Sequence, residues 1–332
     1  MLRPPTLALA PAIVLVCASS AFPIPGILPG AATTRGAVTV ADSTPPAKVP
    51  ARTVVSFPVR TWLENLVVAP SGEVFATSYL DGKLYRIGAD GAAKTFATLP
   101  GTIAGIEREP SGSFLVVGWK DGRIPSVFRV SAAGTVTVLG TLPEARFPNG
   151  ITHLQGTQYL IADSYRGLVW EFDVASKKNT VWLADTLLAR TDTTNPTPGV
   201  NGVRHTHDAV FLTSTQRGLL LRVPVNASGK PGTLAVRMRG LNVDDFAIGD
   251  DGTAYVATHV VNTVARVATS GTWTTIAGLE EGVAGSTAVA FGRGASGARI
   301  LYVTTNGGMT VPPPGGVQPG RLVALDISSL AH

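Results

Sequence analysis

The chain has 332 residues, 45% of them hydrophobic and only 15% charged, with 37 Gly and 24 Pro. That length and apolar content can bury a substantial core, and the abundance of turn formers suits many short strands better than long helices. The net charge of +5 comes with no block of Lys or Arg and no aromatic ladder beside one, which argues against a nucleic-acid partner.

The N-terminus reads as an export signal. Arg3 supplies a basic start, Leu7 to Cys17 is almost wholly apolar, and small residues lead to a cleavage point near Ala21. The apolar run is too short to span a bilayer comfortably. Residues 1–21 are therefore expected to be removed, leaving a protein that is secreted, or periplasmic in a Gram-negative cell, with no stable membrane insertion. Cys17 is the single cysteine and lies in this segment, so neither thiol nor disulfide is expected in the mature chain. Residues 22–51, rich in Pro, Ala, Thr and Gly without apolar periodicity, read as a flexible leader.

From Arg52 onward the chain repeats. Glu64, Ala104, Asn149, Asn201, Asp244 and Thr287 stand at intervals of 40 to 52 residues, a period typical of propeller blades. In the first unit the spacing predicts strands at Leu66 to Ala69, Val74 to Thr77 and Lys83 to Ile87. In the fifth it predicts them at Phe246 to Ile248, Ala254 to Thr258 and Thr263 to Val267. A fourth strand follows in five units: Lys94 to Thr98, Thr135 to Leu139, Thr180 to Leu183, Thr233 to Met238 and Thr272 to Ala277. The sixth unit ends with Arg321 to Asp326 and has no fourth strand downstream. Thr53 to Phe57 is expected to complete it, closing the ring and removing free sheet edges. The predicted fold is all-β, one six-bladed β-propeller of four-stranded blades over residues 52–328, expected to be monomeric.

The first strand of each blade lines the channel of such a propeller, so equivalent strand starts converge. Glu64, Asn149, Asn201 and Asp244 then offer two carboxylates and two amide oxygens to one point, a hard oxygen set suited to a divalent metal, Ca²⁺ above all. The competing reading is that Asn149-Gly150, Asn201-Gly202 and Asp244-Asp245 are ordinary turn formers.

Over roughly Trp62 to Ile327 the chain resembles the senescence marker protein, gluconolactonase and luciferin-regenerating enzyme family of six-bladed propellers. The resemblance rests on Glu64, Pro148-Asn149-Gly150, Asn201-Gly202-Val203, Val243-Asp244, Ser286 to Gly292 and Leu301 to Thr305. It implies that Glu64, Asn149, Asn201 and Asp244 bind a divalent metal and that Asp244 is a catalytic general base. The family usually has Pro-Asp-Gly where this chain has Val243-Asp244-Asp245. Either carboxylate can face the centre, and the register of Phe246 favours Asp244. The implied chemistry is hydrolysis of a lactone or related ester, with the metal polarising the carbonyl and a carboxylate activating water.

Loops on the same face supply a rim for a small-molecule substrate, with Trp119, Tyr165, Arg166, Arg217 and His259 as candidate contacts and Trp62 and Phe147 just before ligand positions. Residues 186–199 and 306–320 are long enough to be lids or passive insertions. His205 and His207 fall at the far end of their strand, away from the ligands. Ala162 to Leu168 resembles a segment of strictosidine synthase-like enzymes, which makes condensation or rearrangement an alternative activity. A propeller that uses metal only for stability and binds a partner is a third reading.

Overall fold

The strands of this chain segregate by burial. Second strands such as Ala209–Ser214 are buried at every residue, whereas outermost ones such as Asn179–Ala184 leave most side chains at least partly exposed. Burial on both faces explains why the second strands read as nearly continuous apolar and small residues. The computed structural model describes residues 48–206, 208–294 and 297–330, which belong to one compact unit.

The strands form six four-stranded antiparallel sheets. Five use consecutive strands, running from Leu63–Val68 to Ala93–Thr98, Gly101–Arg108 to Val136–Thr141, Pro148–Gln155 to Asn179–Ala184, Val200–His205 to Ala235–Arg239, and Phe246–Ile248 to Trp273–Ala277. The sixth combines Ser286–Arg293, Arg299–Thr305 and Pro319–Asp326 with Ala51–Val59, which pairs antiparallel to Pro319–Asp326. This is a six-bladed β-propeller closed by its N-terminal strand, and Thr53 to Phe57 lie inside that strand. The export signal and residues 22–47 of the leader are outside the described residues. The leader ends sooner than expected, because Val49 is buried and its N–H donates to Ile276 O at 3.0 Å.

Core packing runs between neighbouring blades. Leu115 and Val117 of the second blade cluster with Ile161, Trp170 and Phe172 of the third. Threonine hydroxyls tie neighbouring blades together. Thr77 Oγ1 donates to Ala104 O (2.7 Å), Thr213 Oγ1 to Asp244 O (2.6 Å), and Thr287 Oγ1 to Leu63 O (2.8 Å), the last joining the sixth blade to the first.

The fifth inner strand spans Phe246–Ile248 as predicted, but the first begins earlier. It starts at Leu63 instead of Leu66, because the candidate ligand pairs lie inside irregular stretches of strand. Register shifts fall between Leu63 and Leu66, Ile103 and Ile106, Pro148 and Ile151, and Val200 and Val203. At each shift two residues of the inner strand, such as Glu64 and Asn65, lie opposite one on its partner, a β-bulge with one extra residue. The turn reading of Asn-Gly is thereby corrected, since neither Gly150 nor Gly202 has a positive φ. A Cβ on Gly150 would lie 2.6 Å from Asn201 O, and one on Gly202 2.5 Å from Asp245 Oδ1. Close approach of adjacent inner strands, not a turn, requires glycine there.

Candidate functional site

Glu64, Asn149 and Asn201, the first residues of three of these bulged pairs, line one cavity of about 290 Å³ together with Asp244, which lies two residues before the strand Phe246–Ile248. Asn65 and Asp245, which follow Glu64 and Asp244, turn the other way and meet each other. Asp245 Oδ2 accepts from Asn65 Nδ2 and from Arg204 Nη2, both at 2.6 Å, so Asp244 is the carboxylate at the cavity and Asp245 braces the channel interior. His205 and Arg204 line a separate cavity of about 310 Å³ formed by the opposite ends of the inner strands. His207 lies outside the described residues.

Around Asp244 the hydrogen bonds form a connected set. Asn201 Nδ2 donates to Asp244 Oδ1 (2.5 Å) and to Thr215 Oγ1 (3.0 Å), while Thr215 Oγ1 donates to Val243 O (2.7 Å). Because the Thr215 proton is used on Val243, its oxygen must accept, and this fixes which end of the Asn201 amide faces Asp244. His259 Nδ1 lies 2.9 Å from Asp244 Oδ2. Its Nε2 is 2.8 Å from Asn306 Nδ2 and 3.1 Å from Thr310 Oγ1. The Asn306 carbonyl oxygen accepts from Gly308 N and Met309 N, which leaves its NH₂ for the imidazole. Burial pulls the His259 pKa down, but the hydrogen bond and charge of Asp244, with Glu64 beyond, outweigh it and leave the pKa raised.

Glu64 occupies the other side of the centre. Trp62 Nε1 donates to its Oε2 at 2.5 Å. Burial, then repulsion from Asp244, pushes its pKa up to about 8 against the partial relief of His259. Burial also raises the Tyr79 phenol, with Glu64 adding to the effect. Aromatic rings continue around the mouth with centroids in sequence: His259 to Trp62 5.4 Å, Trp62 to Tyr79 5.5 Å, Tyr79 to Trp119 6.2 Å, Trp119 to Phe147 4.8 Å, Phe147 to Tyr165 4.9 Å.

Whether these residues suit a divalent cation depends on which of their oxygens remain available. Both Asp244 oxygens receive N–H donors, and Asn201 presents nitrogen, not oxygen, to Asp244. Asn149 Nδ2 donates to Ser164 Oγ (3.3 Å), leaving Oδ1 as its acceptor, and Asn242 Oδ1 is buried with no hydrogen-bond partner among the described residues. With its amide as oriented, Asn201 offers Asp244 a nitrogen, so an ion shared by the two needs that amide reversed, whereas each Asp244 oxygen keeps a second lone pair beside its N–H donor.

Of the predicted substrate contacts, Tyr165 and His259 line the cavity, and Trp119 belongs to the aromatic belt. Arg166 and Arg217 do not line it. The Arg166 guanidinium lies 5.9 Å from the Trp170 ring, and Arg217 Nε donates to Ala189 O at 2.8 Å, supporting a loop. Asp163, also on that face, is a buried acceptor for Arg146 N, Phe147 N and Trp170 Nε1. Sequence reasoning missed Tyr79, Thr215, Asn242 and Thr310. Tyr79 and Thr215 each directly follow a second strand, at the position of Tyr165's neighbour Ser164, and that repeat position is the signal that could have found them.

No family model matches the sequence. The curated protein "Putative hetero-Diels-Alderase asR5" of Sarocladium schorii is 26% identical over 321 residues, covering 79% of this chain and 80% of that protein. Among solved structures, a calcium-binding protein, regucalcin, of Agrobacterium tumefaciens is similar with a TM-score of 0.64 and 19% identity, covering 85% of this chain and 95% of that one. A gluconolactonase of Xanthomonas campestris is similar with a TM-score of 0.62 and 12% identity, covering 87% and 99%. In fold, the chain is a six-bladed β-propeller of the kind found in regucalcin, gluconolactonase and luciferin-regenerating enzyme.

Proposed function

We propose that the protein is an enzyme that holds a hydrophobic, conjugated carbonyl compound in the aromatic cavity and promotes ring closure by hydrogen bonding to its oxygen, in the manner of a hetero-Diels–Alder reaction. The observation that carries this reading is the carboxyl of Glu64, tied through Oε2 to Trp62 and held near a pKa of about 8. At neutral pH this group keeps its proton, and its other oxygen is a donor to a substrate carbonyl. That hydrogen bond withdraws electron density from the conjugated system and speeds addition of an electron-rich alkene. One C–C and one C–O bond form as π bonds are consumed, with no net proton transfer and no need for water or a nucleophile. The belt from Trp62 to Tyr165 supplies flat apolar surface for stacking both partners in register. The kinship with the Sarocladium schorii protein, spread over about four-fifths of both chains, supports the reading.

The test is incubation of the purified protein with an enone or quinone-methide heterodiene and an electron-rich alkene, with the adduct analysed on a chiral column. An enantioenriched adduct that forms faster than background, is insensitive to chelator and is lost in Glu64→Ala is expected. Racemic adduct at the background rate sinks the proposal.

Hydrolysis of a lactone or ester is a second reading, favoured by the His259–Asp244 pair. Asp244 accepts from Nδ1 and so makes Nε2 the acceptor nitrogen, which serves as a general base for water once the Asn306 NH₂ gives up its hydrogen bond to that atom. Turnover of a lactone panel that His259→Gln abolishes would favour hydrolysis over cycloaddition.

A further inference from the structure

The large hydrophobic side chains that remain exposed are not scattered evenly. Val59, Leu80, Ile124, Val261, Leu279 and Val311 are each 39% to 51% exposed. All six stand at strand ends or in loops on the face where the cavity opens. Leu80, Ile124 and Val261 follow or flank second-to-third-strand connections, Leu279 precedes an inner strand, Val311 lies between Arg299–Thr305 and Pro319–Asp326, and Val59 pairs with Pro319. The other exposed large hydrophobics, Val138, Val181 and Trp273, are on outermost strands. Singly, such residues need no explanation, but an arc of six over the fifth, sixth, first and second blades marks an interaction surface.

Basic side chains occupy the same face. Arg60, Arg123, Arg146 and Arg239 are exposed there, and none forms an ion pair with another described residue. Of the acidic groups nearby, Asp81, Asp121 and Glu281 are neutralised by Lys83, Lys120 and Lys48. Glu144, Asp192 and Glu280 remain as exposed acids without an ion pair, and Arg166 adds a fifth exposed guanidinium, so the unpaired charge on this face is mixed, five basic groups to three acidic. An apolar arc bordered by unpaired guanidinium groups is complementary to a bilayer with anionic headgroups. The apolar side chains enter the interfacial zone while the cations meet phosphate.

We propose that the cavity face docks peripherally on an anionic lipid surface, holding the mouth of the aromatic cavity against the source of a lipophilic substrate. The docking is interfacial, as no helix among the described residues is long and apolar enough to cross a membrane. The inference stands on surface geometry and charge and does not depend on which reaction the cavity performs.

The test is flotation of the full chain with vesicles of phosphatidylcholine alone and of phosphatidylcholine mixed with phosphatidylglycerol, at low and high salt. Roughly tenfold tighter association with the anionic vesicles is expected, reversed by salt. The triple variant Leu80→Glu, Ile124→Glu, Val261→Glu should lose it while melting like the parent, because all three side chains are half-exposed. The milder double variant Arg60→Glu, Arg123→Glu should lose the preference for anionic lipid. Absence of binding to either vesicle, indifference to anionic lipid, or binding that survives the triple variant overturns the proposal. So does a dimer in solution that the triple variant dissolves, in a protein that ignores vesicles.

Discussion

Glu64 is where burial and charge act most strongly on one side chain. Its ordinary value of 4.5 applies in the unfolded chain, and in the folded protein burial and Asp244 raise it to about 8. The native state therefore binds a proton more tightly, so its stability is fully present below 4.5 and declines as pH rises through about 8. Glu64→Gln removes the ionisation while keeping an acceptor for Trp62. The variant is expected to melt with the parent near pH 4.5 and above it well beyond pH 8, as read by scanning fluorimetry. Parallel melting curves at both ends would show that the carboxyl does not hold its proton in the fold. The ligand-like positions were legible in the sequence because the same place recurs in successive repeats. His259 was visible only as one loop residue among many, since its contact with Asp244 depends on the short turn His259–Val261, which carries the imidazole back over the cavity. The direction of Asn201's amide was not legible either, because it is set by where the Thr215 proton goes.

At the scale of elements, residues 186–199 form a fixed wall of the site. Pro196, Thr197 and Pro198 line the cavity, and the Tyr165 hydroxyl donates to Pro196 O at 3.0 Å. Arg190 stacks 4.1 Å from the Tyr165 ring centroid. Gln216 clasps the outer turn, its Oε1 accepting from Thr191 N and Asp192 N while its Nε2 donates to Asp192 O. Sequence length alone could not distinguish a lid from an insertion, because the clasp joins residues about 25 apart through one side chain. Gln216→Ala leaves the N–H groups of Thr191 and Asp192 without their acceptor. Amide exchange at these two residues is expected to rise about tenfold or more as the turn opens locally, while global stability changes by less than about 1 kcal/mol. Unchanged exchange would mean that Tyr165 and Arg217 suffice to hold the wall.

For the whole molecule, the decisive contact joins chain segments more than 250 residues apart. Ala51–Val59 is the outermost strand of the last blade, so every blade has four strands and the ring is held by both ends of the domain. This was readable in the sequence by elimination, since the sixth unit lacked a strand and one β-branched stretch lay unassigned at the start. The side chain that fastens it was not, because alternation in Ala51–Val59 is weak and only Phe57 is buried. Phe57 packs in a cluster with Leu63, Tyr302 and Leu322, which joins the closing strand to the first and sixth blades, and its ring lies 4.7 Å from that of Tyr85. Truncation to alanine removes most of that contact and is expected to cost about 3 kcal/mol. Deleting residues through Val59 should do more, because it also leaves Pro319–Asp326 as an unpaired edge. Urea unfolding followed by tryptophan fluorescence should show a single transition moved to lower denaturant in Phe57→Ala. The deletion is expected to yield aggregated protein or an early, separate unfolding step of the sixth blade. A deletion protein that stays monomeric and unfolds with the parent would show that the ring closes without its N-terminal strand.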